Sequence, residues 1–197
     1  MTMLSGWLVY QQREVSDYQF AVVDVTESDR PNGEVLDCLA HELVLAHGSP
    51  QRIRAEYAIL AEDTAEVNLD IMKAYIEDTF LPDIDRVSTR VGNFGEVLAA
   101  CLLIDFEGFW LPIYKLRFRE KRDWAMRLTD LCLVRTNGVS RPLVCYGEVK
   151  TKSGRCDRKL GVKGHDSLAK DVALSNPAIL RFMCTWLYEK EMYEEAL

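Results

Sequence analysis

Glu148 and Lys150 stand two residues apart in the string Tyr146-Gly-Glu-Val-Lys150. Side chains alternate between faces in a strand, so the pair would project to one side while Val149 enters the core. An acid and a base held together on a stiff element can share one site, although an isolated Glu-x-Lys is also an ordinary solvated strand face. Asp130 adds weight. It opens the preceding predicted strand, and a hairpin returning through Asn137-Gly138 would set it beside Glu148. Two carboxylates meeting at a strand end suit a hard divalent cation, Mg²⁺ or Mn²⁺, with waters completing its coordination. The plainer role for Asp130 is to cap a turn.

Glu96 heads the apolar run from Val97 to Ile104, predicted to be a helix that is largely buried. A carboxylate beside so much hydrocarbon is costly unless a cation or a hydrogen bond satisfies it. In the first turn of a helix, however, an acid is simply welcome to the macrodipole. Gly92 and Gly95, just before it, would let another chain segment or a phosphate come close. Directly after the Glu-x-Lys strand runs a basic loop, Lys150-Thr-Lys-Ser-Gly-Arg-Cys-Asp-Arg-Lys159. Its Lys152, Arg155, Arg158 and Lys159 are the expected phosphate contacts, together with Lys115 and Arg117 from one face of a predicted strand.

The elements that must position these residues fall into two regions. Residues 1–86 read as an α/β region: strands over 7–10 and 19–26, a turn-rich loop over 27–33, and helices over 34–46 and 67–80, the latter stopped by Pro82. The stretch 53–61 fits helix and strand equally. Residues 87–197 read as a second unit: a helix over 93–105, strands over 112–118, 129–135 and 143–150, a glycine-bearing loop over 151–164, then helices over 167–173 and 177–195.

Net charge is −7, which by itself argues against a nucleic-acid partner. Its distribution reverses that conclusion. Between Pro112 and His165 lie 14 Lys and Arg against 5 Asp and Glu, a local balance of +9 in a chain whose remainder carries −16. A basic segment in an acidic protein can face phosphates while the acidic part faces another partner, and residues 1–86 are the candidate partner surface. The six cysteines show no Cys-x-x-Cys spacing and mostly sit among apolar neighbours, as reduced thiols packed as small hydrophobes do. With no signal-peptide pattern, and no apolar run near the roughly 20 residues that span a bilayer, a cytoplasmic protein is expected, with no membrane partner.

Acid on a helix, Asp on a strand and Glu-x-Lys on the next strand, in that order, resembles the PD-(D/E)XK nuclease superfamily, whose core begins helix, three strands, helix. The resemblance implies that Asp130 and Glu148 bind Mg²⁺, that Glu96 binds or orients metal-bound water, and that Lys150 orients or deprotonates the attacking water. A narrower likeness rests on Gly92-Asn-Phe-Gly-Glu-Val-Leu98, Tyr114-Lys-Leu-Arg-Phe-Arg119, Leu128-Thr-Asp-Leu131 and Tyr146-Gly-Glu-Val-Lys150. These strings are similar to HamA, the nuclease subunit of the Hachiman anti-phage system, a family that partners a superfamily 2 helicase, HamB, which restrains it until aberrant DNA is sensed. Leu128 departs from the glycine expected two residues before the aspartate, and no final core strand follows the second helix. Both departures keep open a second branch, the Cap4-like nuclease subunits that accompany SMC-type ATPases.

The expectation is therefore a metal-dependent DNA nuclease held in check by an ATPase partner, with homo-oligomerisation left open. The rival is a non-catalytic nucleic-acid- or protein-binding module on the same fold. Among the remaining residues, His165-Asp166-Ser167 reads as a helix cap, His41 and His47 as surface groups, and Trp110 and Trp186 as core. Trp124 is the tryptophan best placed to stack a base.

Overall fold

The computed structural model describes residues 4–13, 21–49, 86–121, 124–125, 129–136, 142–155, 159–170 and 178–189, with a few isolated positions between 51 and 74. The predicted helix over 67–80, the Asn137-Gly138 turn and Arg158 lie outside the described residues, as does the Trp124 side chain.

The fold is organised around helix α2 (Val87–Glu107), because two of its stripes are apolar. Val97 and Cys101, one turn apart, join a first core with Leu4, Trp7, Leu8, Val35, Leu39 and Ala46. Ala100, with Leu103 and Ile104, faces a second core built on Leu131 and Leu133. By length and composition α2 could cross a membrane; here it is the wall shared by these two clusters.

The first core is closed by the antiparallel hairpin β1 (Leu8–Arg13) and β2 (Val22–Glu27), paired from Leu8↔Glu27 to Arg13↔Val22, and by α1 (Gly33–His47). Asn32 starts α1 by accepting a 2.9 Å hydrogen bond from the Val35 amide, the ordinary N-cap chemistry of that side chain. The described part of residues 1–86 therefore has no core of its own. The division at residue 86 separates two regions of sequence, and their packing is continuous through α2.

The second half holds a short hairpin, β3 (Arg119–Lys121) with β4 (Trp124–Ala125), and the hairpin β5 (Leu131–Arg135) with β6 (Leu143–Gly147). Alternation along β5 and β6 sorts their side chains onto two layers. Leu131, Leu133 and Cys145 face α2. Cys132, Val134 and Tyr146 join Ile113, Trp110 and Trp186, with Phe182 and Met183 of α4 (Ala178–Glu189). The hairpin is thus held between α2 and α4. A further helix, α3 (Lys159–Lys170), precedes α4.

Several sequence expectations need correction. The strand over 112–118 is not formed. Trp110 makes a single antiparallel bridge to Val134 (2.8 and 2.9 Å), and Lys115–Arg117 then form one 3-10 turn. Burial explains this: Ile113 and Leu116, three residues apart, go into different clusters, a spacing that suits a turn and not strand alternation. Helix α2 begins at Val87 and not at Asn93, so Gly92 is helical as well as Gly95, and Glu96 sits in mid-helix and not in a first turn. Tertiary packing of Asn93 and Gly95 outweighs their poor helix propensity. Strand β6 ends at Gly147, which leaves Glu148 and Lys150 just beyond the ladder. The loop expected over 151–164 is shorter, because α3 begins at Lys159, and His165-Asp166-Ser167 lie inside that helix and do not cap it. His47 is no surface group: its Nδ1 donates to the Leu43 carbonyl at 2.7 Å, which leaves Nε2 to accept from Asn93 Nδ2 at 3.3 Å.

Candidate functional site

Beyond the end of the ladder, the register that pairs Leu131 with Gly147 makes Asp130 and Glu148 the next facing residues. Two bonds fix this corner. Thr129, buried, donates its hydroxyl to the Gly147 carbonyl at 3.0 Å, and the Val149 amide donates to Asp130 Oδ2 at 2.8 Å. Asp130 is oriented by the very segment that carries Glu148 and Lys150. Val149 enters the second core, as the Glu-x-Lys spacing predicts.

Glu96 is brought to the same corner by the close approach of α2. A Cβ built on Gly95 would stand 1.7 Å from Thr151 Oγ1 and 2.8 Å from Thr151 Cβ. Only glycine lets the helix lie this near to the residue that follows Lys150. On the other side, a Cβ at Gly164 of α3 would stand 3.5 Å from the Lys150 Cγ, an ordinary contact.

Two lysines are interleaved with the three acids. Lys150 is ion-paired with Glu148. Lys115 is ion-paired with Asp130, and its Nζ lies 3.6 Å from Glu96 Oε1. The Lys115, Asp130 and Glu96 side chains are only 13%, 13% and 16% exposed, so these charges interact largely out of water. Burial pushes the Glu96 carboxyl up to about 7, against the opposing pull of Lys115, and Asp130 and Glu148 push the same way as burial. For Lys150 burial acts downward, yet the hydrogen bond and charge of Glu148, with Asp130 and Glu96, outweigh it and raise its pKa. Among the described residues no three His, Cys, Asp or Glu side chains close on a common point that could hold a metal ion as they stand. The lysines lie between them.

The structure therefore brings Glu96, Asp130, Glu148 and Lys150 together. It also adds Lys115, which the sequence assigned to phosphate contact from a strand face and which instead points into the acids. Arg117 is likewise relocated: its Nε donates to the Leu45 carbonyl of α1 at 2.7 Å, and its guanidinium lies over the Tyr114 ring. Lys152 and Arg155 are exposed beside the site, and Lys159 is exposed at the start of α3. The inward turn of Lys115 leaves one signal in the sequence, the three-residue spacing of Ile113 and Leu116.

Fold and site define a mixed α/β protein with a half-buried acid–lysine centre at the open end of a β-hairpin, backed by a long core helix. The chain belongs to the HamA family, whose model matches residues 36–175, from α1 to beyond α3 and across every residue of the centre. That membership gives it an anti-phage defence role in the Hachiman system, in company with partner proteins. No curated protein matches the chain.

Proposed function

We propose that this protein is the nuclease of its Hachiman system, a divalent-metal-dependent enzyme of PD-(D/E)XK type that hydrolyses DNA phosphodiesters in the cytoplasm. The observation that carries this reading is the convergence of Glu96 from α2, Asp130 from the head of β5 and Glu148 with Lys150 from the end of β6 at one corner. An isolated Glu-x-Lys on a solvated face would have no reason to meet a mid-helix carboxylate. The chain order of α2, the hairpin β5–β6 and α3 supports the reading, with a single bridge at Trp110 where the first core strand is expected.

The donor set fits Mg²⁺ or Mn²⁺. The ligands are all carboxylate oxygens, and burial of three like charges raises Glu96, so the site gains from a further cation. Asp130, Glu148 and Glu96 would hold the ion. When bound, it supplies charge stabilisation at the phosphate and lowers the pKa of a water. The protein's own residues do the rest. The Val149 amide keeps Asp130 aimed at the centre. Lys150, held as an ammonium by the surrounding acids, donates toward the attacking water and orients it in line with the scissile bond. Lys152, Arg155 and Lys159 contact the flanking phosphates.

The partner is proposed to be a helicase-type ATPase, which fits the HamA match better than an SMC-type one, and the acidic face of residues 1–86 is its docking surface. The described cysteines Cys38, Cys101, Cys132, Cys145 and Cys184 are all free thiols, in keeping with a reducing compartment.

The test is degradation of plasmid and linear DNA with Mg²⁺ against EDTA, with and without the ATPase encoded beside it. Wild type and the Glu148→Ala/Lys150→Ala double variant are compared. Metal-dependent cutting that the variant loses is the expected result. A folded protein that cuts under none of these conditions refutes the enzyme and leaves a binding module.

A further inference from the structure

Lys115 is placed with more care than a phosphate-binding lysine needs. The turn that carries it is anchored by its neighbours on both sides. The Tyr114 hydroxyl donates to Glu42 of α1 at 3.0 Å, Leu116 is buried in the first core, and Arg117 donates to the Leu45 carbonyl. The ammonium delivered by that turn is therefore held in place and not free to sweep the surface. Asp130 offers Oδ2 to the Val149 amide, so Oδ1, the oxygen left for a ligand, is the one paired with Lys115. The same ammonium is 3.6 Å from Glu96.

We propose that Lys115 is the resident counter-ion of the centre: its ammonium fills the space between Glu96 and Asp130 that a divalent ion would share, and metal enters by exchange with it. The inference rests on the metal-site reading above and adds a competitor to it. It explains why three carboxylates meet without closing on one another, since each neighbouring pair has an ammonium between or beside it. It also assigns Lys115 a role distinct from that of Lys150, which is ion-paired with Glu148. Lys115 sets how much metal is needed to load the site.

The experiment is calorimetric titration of the full chain with Mn²⁺ and Mg²⁺, in wild type, Lys115→Met and Lys115→Arg. Methionine keeps most of the stem and removes the charge, whereas arginine keeps the charge. Lys115→Met is expected to bind Mn²⁺ at least about tenfold more tightly, the effect of losing one competing unit charge a few ångström away under partial screening. Lys115→Arg should stay within about threefold of wild type, because the competing charge remains. The methionine variant should also melt at a lower temperature than wild type in EDTA and regain the difference in Mn²⁺. If it is unfolded in EDTA, recovery of its circular dichroism by Mn²⁺ is the expected result, and no recovery overturns the exchange. Equal or weaker binding by Lys115→Met, with wild type binding normally, overturns the exchange and leaves the metal site standing. Wild type and Lys115→Met both folded and both binding no metal refutes the metal site itself, and the exchange falls with it.

Discussion

Gly95 is the position where adding one carbon should separate stability from activity. Its new Cβ would lie 1.7 Å from Thr151 Oγ1, 2.8 Å from Thr151 Cβ and 3.0 Å from Thr151 Cγ2. Rotation about χ1 can carry Oγ1 and Cγ2 away, but the Thr151 Cβ is fixed by the backbone. Carbon atoms rest at roughly 3.5–4.0 Å, so α2 and the Thr151 backbone must part by about 1 Å. Overpacking of this kind costs about 1–3 kcal/mol, and the segment bearing the exposed Thr151 can move out toward solvent, which favours the lower end. Alanine in place of glycine inside a helix returns about 1 kcal/mol. The two terms nearly cancel, and Gly95→Ala should unfold in urea within about 1 kcal/mol of wild type. Activity has no such compensation. Glu96 follows Gly95 on one side of the contact and Lys150 precedes Thr151 on the other, so the parting opens the acid–lysine centre itself. A displacement of about 1 Å costs on the order of 10²-fold in rate. Initial rates of Mg²⁺-dependent DNA cleavage, measured beside urea midpoints, read both quantities. Gly95→Ala/Thr151→Gly removes the opposing atoms and should recover most of the lost rate. A Gly95→Ala protein that cleaves within about twofold of wild type, or a double variant no better than the single one, would show that this contact does not position the centre.

Two further outcomes are expected. The Glu96 carboxyl is raised from its ordinary 4.5 to about 7, so the folded protein binds the extra proton between those values. Stability from this group is then full below about pH 4.5 and is lost as pH climbs through about 7, up to about 3 kcal/mol in all. In EDTA, Glu96→Gln should gain on wild type by that amount between pH 5 and 8, and a difference that stays constant across urea melts in this range would remove Glu96 from the buried set. At the other end of the molecule, reversing the exposed acids Glu34 and Asp37 of α1 to lysine should abolish co-purification with the ATPase partner and leave bare cleavage intact. Retained binding with lost cleavage would refute α1 as the docking face.

The sequence made the acids legible because each has a local signature. Glu148 and Lys150 share a two-residue spacing, Asp130 opens an apolar strand, and Glu96 breaks an apolar helix. The hairpin that joins them is legible in the apolar run from Leu131 to Val134 and the Asn137-Gly138 signal that follows it. What could not be read was anything set by one element choosing its neighbour. Gly92 reads as the approach to a helix because glycine is a poor helix former, and only the contact with Thr151 shows what Gly95 inside that helix is for. Lys115 and Arg117 looked like an exposed strand face because they alternate with apolar residues. Their side chains go instead to Asp130 and to the Leu45 carbonyl, choices made by the 3-10 turn that Leu116 anchors.

That turn also ties the acidic N-terminal region to the acid–lysine centre. Charge alone suggested an appendage available to a partner, with a separate catalytic unit behind it. The bonds say more. Glu42 and the Leu45 carbonyl, both on α1, hold Tyr114 and Arg117 on either side of Lys115 and Leu116. His47, at the last turn of α1, meets Asn93, one turn before Glu96 on α2. Burial lowers the Arg117 pKa while Tyr114 and Glu42 pull it back, so the guanidinium is a packed strut and not a loose surface charge. Helix α1 is therefore in direct contact with both elements that reach the centre from outside the hairpin, the turn bearing Lys115 and the helix bearing Glu96. A partner seated on the exposed side of α1 would touch the helix whose hydrogen bonds hold both of those elements.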